Sequence, residues 1–174
     1  MTMRSTKGFT LIELLIVVAI IGIIAAIAVP GLLRARISGN EASAIGSLRT
    51  ITSAQHVYSS SCGGGGYATS LDDLALPPTG GGPAFISADV AAAEVGGTPK
   101  SGYEFTVTGQ GAVVRPAAET CNLASAASTT GFFSQADPVN PGMTGVRFFA
   151  TNASGETRQD VTQLTSITDG LPLQ

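Results

Sequence analysis

The sequence predicts an α+β fold in which one long N-terminal α-helix packs on a small antiparallel β-sheet. Three observations carry this. Residues 9–29 are apolar on every side, with only Thr10 and Glu13 clearly polar. Beyond Pro30 the pattern turns amphipathic, and Ile37, Ala44, Ile51 and Tyr58 recur every seventh residue. Later, Tyr103-Glu104-Phe105-Thr106-Val107-Thr108 alternates apolar and polar side chains, the period of a half-buried strand. A helix stripe and a sheet face of this kind must cover each other, because neither can be left in water.

The helix is the first element to justify. At 1.5 Å per residue the apolar run extends about 30 Å, enough to cross a bilayer core. Arg4 and Lys7 precede it and fit the cytoplasmic flank of a span. From Leu32 to about Ser60, Ile45 and Leu48 widen the stripe, while Arg34, Arg36, Asn40, Glu41, Ser47 and Arg49 are expected to lie mostly off it. The simplest reading is one helix from Phe9 or Thr10 to near Ser60, about 75 Å long by the same rise. Pro30 is a place for it to kink. Four glycines after Cys62 stop it.

Ser70-Leu71-Asp72-Asp73-Leu74 reads as a capped short helix, and residues 87–95 as another. Residues 112–115 either pair with the first strand across the glycines at 109–111 or lead into a loop. Residues 132–136 and 146–151 read as strands. The turn signal Asp137-Pro138-Val139-Asn140-Pro141-Gly142 separates them. Asn152-Ala153-Ser154-Gly155 is a further turn, and residues 156–161 read as a last strand. Tyr103, Phe105, Val107, Phe133, Val146 and Phe148 are expected on the face that covers the helix. The chain thus divides into residues 1–8, the apolar half-helix 9–30, the amphipathic half-helix 31–60 and a head of residues 61–174.

Composition narrows the function. The 174 residues carry a formal charge of −3, and only 12% are charged. No Lys/Arg cluster stands out beyond Arg34 and Arg36, so nucleic acid is not indicated as a partner. Cys62 and Cys121 are the two cysteines. On the polar side of a membrane segment they suggest one disulfide in an oxidising compartment, the alternative being two unrelated thiols.

Nothing builds a catalytic or metal site, and no cofactor is expected. His56 is the one histidine, which with two cysteines leaves no zinc set. No G-x-S-x-G elbow is present. The glycine runs at 63–66 and 80–82 match no phosphate loop. Asp137 and Asn140 offer oxygens, but in a Pro-rich turn they read as turn residues.

The sharpest signal is Glu13, a carboxylate inside an apolar helix, where insertion scales set a cost of roughly 2.5–3.5 kcal/mol. A secretory signal is one plain reading, and Ala26-Ile27-Ala28 offers a cleavage pattern, but the run exceeds the usual 7–15 residues. A simple anchor is another, and it gives no role to Gly8-Phe9 or Glu13.

Lys7-Gly8-Phe9-Thr10-Leu11-Ile12-Glu13 closely resembles the processing site of type IV prepilins and type II secretion pseudopilins. The likeness continues through Gly22 and Pro30 and covers about the first third of the chain. Gly145-Val146-Arg147-Phe148-Phe149, followed by Gly155, is more loosely similar to the sheet region of type IV pilins. The resemblance implies cleavage between Gly8 and Phe9 by a prepilin peptidase, N-methylation of Phe9 and removal of a leader, residues 1–8. It implies an inner-membrane precursor and then a homopolymeric surface filament, assembled by a cytoplasmic ATPase and a platform protein. It pairs Glu13 with the Phe9 amine of an adjacent subunit, and gives Gly22 and Pro30 a role in helix flexibility. Adhesion, twitching motility and DNA uptake are the roles such filaments serve. A pseudopilin is the runner-up, and a membrane-anchored exported domain the remote alternative.

Overall fold

The computed structural model describes residues 8–173. The chain forms two compact units, Met1–Arg36 and Ile37–Gln174. Helix α1, Leu11–Ser61, begins in the first and ends in the second. In the first unit every described residue, from 8 to 36, is exposed. The most apolar stretch of α1 has a mean hydropathy of 3.1 and is long enough to cross a membrane. The helix continues through Pro30, whose missing N–H leaves one rung of the ladder unmade. The expected basic flank, Arg4 and Lys7, and all of the 1–8 leader except Gly8 lie outside the described residues.

In the second unit α1 buries Glu41, Ala44, Ser47, Leu48, Ile51, Ala54, Gln55 and Tyr58. Steps of three, three and one, which repeat every seven residues, keep these on one face. Glu41 and Ser47 correct the expectation that they would lie off the stripe. Each is three residues from Ala44 and so falls on the same face, whatever its polarity. The helix then ends where Gly64 and Gly65 take left-handed φ values of 65° and 93°. That geometry lets Gly65 donate its N–H back to the Ser59 carbonyl at 2.9 Å.

Two short helices follow. α2 (Leu71–Ala75) is capped by Ser70, whose hydroxyl accepts the Asp73 N–H at 3.1 Å. α3 is Ala88–Ala91. A single turn of 3-10 helix, Ala117–Glu119, separates the first two strands. Five antiparallel strands pair in chain order: β1 (Tyr103–Arg115), β2 (Ser128–Pro138), β3 (Phe148–Asn152), β4 (Thr157–Asp160) and β5 (Leu171–Pro172). The architecture is the expected long helix on a small antiparallel sheet.

Three strand details differ from the sequence reading. First, β1 does not turn back at its glycines. Gly109 and Gln110 pair with Phe132 and Gly131, and the register shifts only beyond Gln110. Second, Asp137 and Pro138 belong to β2, opposite Glu104 and Tyr103, so the turn starts later. Third, the core face takes Phe132 and Phe149 rather than Phe133 and Phe148, while Val146 is exposed. The pairs Phe105↔Ala136, Gly109↔Phe132 and Ala136↔Phe149 set this parity. A one-residue slip exchanges the two faces. Phe133 instead joins Ala150 and Leu164 in a small second cluster.

The main core joins Leu48, Ile51 and Tyr58 of α1 to Tyr103, Phe105, Phe132 and Phe149 of the sheet and to Leu71, Leu74 and Val90. Each such side chain contributes about 1.5–3 kcal/mol by leaving water. A disulfide joins Cys62, at the end of α1, to Cys121, 59 residues on. The reading as two unrelated thiols is thereby excluded.

A polar clamp ties α1 to the loop before β3. The Glu41 carboxylate accepts the backbone N–H of Val146 at 3.0 Å and of Arg147 at 3.1 Å. It also accepts Arg147 Nε at 2.9 Å and Nη2 at 2.6 Å. Asn40 donates to the Thr144 carbonyl at 2.8 Å beside it. The Glu41 side chain is 7% exposed and that of Arg147 41%. The guanidinium can therefore turn to water, but the two backbone donors cannot readily do so. Glu41→Ala is expected to cost about 2–3 kcal/mol, read as a lower denaturant midpoint.

Burial pushes the Glu41 carboxyl up, but the Arg147 side chain and the two backbone donors outweigh it, leaving a net lowering below 4.5. A lowered folded value means that the stabilisation is present above the unfolded value and is lost as pH falls through the folded one. The gap between wild type and Glu41→Ala should accordingly shrink on acidification below pH 4.5.

Close approach explains Gly145. A Cβ there would collide with the hydroxyl and ring of buried Tyr103, whose hydroxyl donates to the Arg147 carbonyl at 2.8 Å. Gly145→Ala should destabilise by about 1–3 kcal/mol. Adding Tyr103→Phe, which removes the nearest clashing atom, should recover part of the loss in thermal melts.

Candidate assembly site at the helix N-terminus

The site begins where α1 begins. Thr10 precedes the helix and its carbonyl accepts the Leu14 N–H at 3.3 Å. Its hydroxyl accepts the Glu13 N–H at 3.3 Å. In return the Glu13 carboxylate accepts the Thr10 N–H at 2.9 Å and the Thr10 hydroxyl at 2.7 Å. This is a reciprocal capping box, which satisfies two backbone donors that the helix cannot satisfy itself. The positive end of the helix dipole also favours a carboxylate in the first turn. The sequence reading gave Glu13 a charge role and overlooked this cap, although T-x-x-E is its sequence signature.

All the bonds from Thr10 go to Oε2 of Glu13. Among the described residues Oε1 accepts none, so the carboxylate keeps an oxygen for a further donor. Phe9 lies one residue before the cap and is exposed. Cutting its bond to Gly8 would convert its amide nitrogen into an ammonium, four positions before Glu13 in the chain.

Gly8 itself needs no glycine on structural grounds. A Cβ built there meets nothing within 4 Å. The same holds for Gly22, which lies in the continuous helix. Whatever selects glycine at position 8 therefore lies outside the fold of this chain.

The other residues singled out from sequence lie elsewhere. His56 stacks edge-on against Tyr67, with ring centroids 5.8 Å apart. On β2, Asp137 accepts a hydrogen bond from Gln163 of the segment after β4, and Asn140 is tied to Thr144 in the turn after β2. Burial pushes the Asp137 carboxyl up, with Glu104 across the strand pair adding to it and Gln163 opposing it. Among the described residues no group of three or more His, Cys, Asp or Glu side chains is arranged to hold a metal.

Residues 3–29 match the family described as the prokaryotic N-terminal methylation motif. The chain is 50% identical over 56 residues to the type IV wide pilus major component PilA4 of Thermus thermophilus, spanning 32% of this chain and 43% of that protein. It is 46% identical over 52 residues to the type IV major pilin protein PilA of Myxococcus xanthus, 30% of this chain and 24% of that one. It is 79% identical over 28 residues to a fimbrial protein of Pseudomonas aeruginosa, covering 16% and 18%. The chain thus spans less than half the length of the curated relatives it matches. No solved structure matches it.

Proposed function

We propose, from the premise that the chain is a member of the type IV pilin family through its N-terminal segment, that it is a structural subunit of a surface filament. It is made as an inner-membrane precursor held by the apolar half of α1. A prepilin peptidase cuts between Gly8 and Phe9 and methylates the new terminus. The subunits then polymerise through their N-terminal helices, driven by a cytoplasmic ATPase acting through a platform protein. The protein has no enzymatic role of its own.

The observation that carries this reading is the Thr10–Glu13 cap at the head of a helix whose described residues through Arg36 are all exposed. An apolar surface of that extent must be covered by lipid or by other helices. In lipid the carboxylate is costly, and the cap only partly offsets the loss of water. Among packed helices without water it requires a counter-charge, and the ammonium freed at Phe9 of an adjacent subunit supplies one. Glu13 then acts as a register device, since any position without an amine in reach leaves it unpaired. Gly22 and Pro30 both weaken the helical ladder, and the stretch between them is where α1 would extend on leaving the membrane.

Filaments sheared from cells and analysed by mass spectrometry test the proposal. The expected chain begins at N-methylated Phe9. An uncut chain retained in the envelope would contradict it. Gly8→Ala adds a sharper check. It should leave the fold of the head unchanged by circular dichroism, yet sharply reduce the fraction processed, because the fold places no constraint on that position.

A further inference from the structure

The head carries a surface cavity to which α1 contributes no residue. It has a volume of about 240 Å³ and opens between Gln110 of β1, residues 131–133 of β2, the β3–β4 turn and the segment after Leu164. Phe133, of the small second cluster, and Ile167 give it apolar walls. Its polar groups are Gln110, Asn152, Ser154 and two hydroxyl residues, Thr165 and Ser166. Among the described residues no charged side chain lines it, so nothing in it selects an anion or a cation.

The polar groups are ordered and partly unspent. Asn152 Oδ1 accepts the Ser154 N–H at 2.9 Å and the Ser154 hydroxyl at 2.6 Å. That fixes the side chain and leaves its amide NH₂ without a partner among the described residues. The Gln110 amide makes no hydrogen bond among the described residues either. Two amides can both donate to and accept from neighbouring hydroxyls. At about 240 Å³ the cavity is smaller than the roughly 300–1,000 Å³ of sites for drug-sized ligands, which suits one six-membered ring with its substituents rather than a longer ligand.

The geometry points to a binding site for a single neutral sugar unit, with its hydroxyls on Gln110 and Asn152 and its C–H face against the exposed Ile167. This assignment is independent of the assembly reading, since no lining residue belongs to α1. So small a ligand binds weakly, with a dissociation constant on the order of millimolar.

Saturation-transfer difference NMR on the full chain in detergent micelles tests it. The probes are the methyl glycosides of glucose, galactose and N-acetylglucosamine. Transfer to the ring protons of at least one sugar is expected. The variant Gln110→Ala/Asn152→Ala should weaken that binding about tenfold or more, as sites built to hydrogen-bond a hydroxyl do on losing the partner. Gln110→Ala alone is a surface change in an exposed residue, and serves where the double variant melts early. Absence of transfer from the folded wild-type chain to all three sugars overturns the proposal. So does equal transfer from a folded variant, which would mark the cavity as an unoccupied cleft.

Discussion

Glu13→Leu is expected to abolish surface filaments while Phe9 is still released and methylated. This outcome follows from where the charge sits and what it touches. The carboxylate has two functions that substitution can separate. As a cap it accepts the Thr10 N–H and hydroxyl, which is worth about 1 kcal/mol to a helix end. As a charge, in the proposed assembly, it would neutralise an ammonium in a waterless bundle, where an unpaired partner costs several kcal/mol. Glu13→Gln keeps an acceptor for the cap and removes the charge. If pairing governs assembly, Gln fails nearly as badly as Leu. If the cap were the main contribution, Gln would assemble normally and Thr10→Ala would fail. Neither variant alters Gly8-Phe9, so processing proceeds in both. Counting sheared filaments, alongside the mass of the N-terminal peptide, reads both effects at once.

Removing the disulfide has the largest expected effect on the head. Cys62 and Cys121 close a loop with a sequence separation of 59 residues. Loop-closure entropy for that length corresponds to about 4 kcal/mol. The bond also adds to several hydrogen bonds that hold the segment around Cys121. On one side Thr79 donates its N–H and hydroxyl to the Cys121 carbonyl at 2.8 and 2.9 Å. On the other, the buried Asn122 side chain donates to the Asp73 carbonyl at 2.6 Å. These bonds join the connection after β1 to α2 and, through Cys62, to the end of α1. Cys62→Ser/Cys121→Ser should lower the stability of the head by about that amount in denaturant titration. Reduction of the wild-type chain should do the same. A loss of under ~1 kcal/mol would mean that the surrounding hydrogen bonds, and not the covalent link, define the loop.

The sequence made some of this legible because the signals were local. The apolar run, the heptad stripe, the glycine stop after Cys62 and the Ser70 cap each depend on neighbours within a turn or two of helix. The β3–β4 turn was readable for the same reason, since Asn152 bonds to the backbone two residues on. What escaped depends on partners far away in the chain. Nothing near Phe132-Phe133 or Phe148-Phe149 shows which ring faces the core, because cross-strand register settles it. Glu41 looked like an exposed helix charge because its partner, Arg147, lies 106 residues on. At the candidate assembly site Glu13 is conspicuous for its charge, which draws attention away from the equally local T-x-x-E signal of its cap with Thr10.

The central claim is that Glu13 is matched by the amine that cleavage creates. A side-chain-resolution map of the sheared filament tests it most directly. The account predicts each Glu13 carboxylate within about 4 Å of the N-methylated Phe9 nitrogen of an adjacent subunit, close enough for direct charge pairing. A map that placed the carboxylate in water, or roughly 6 Å or more from any amine, would contradict it.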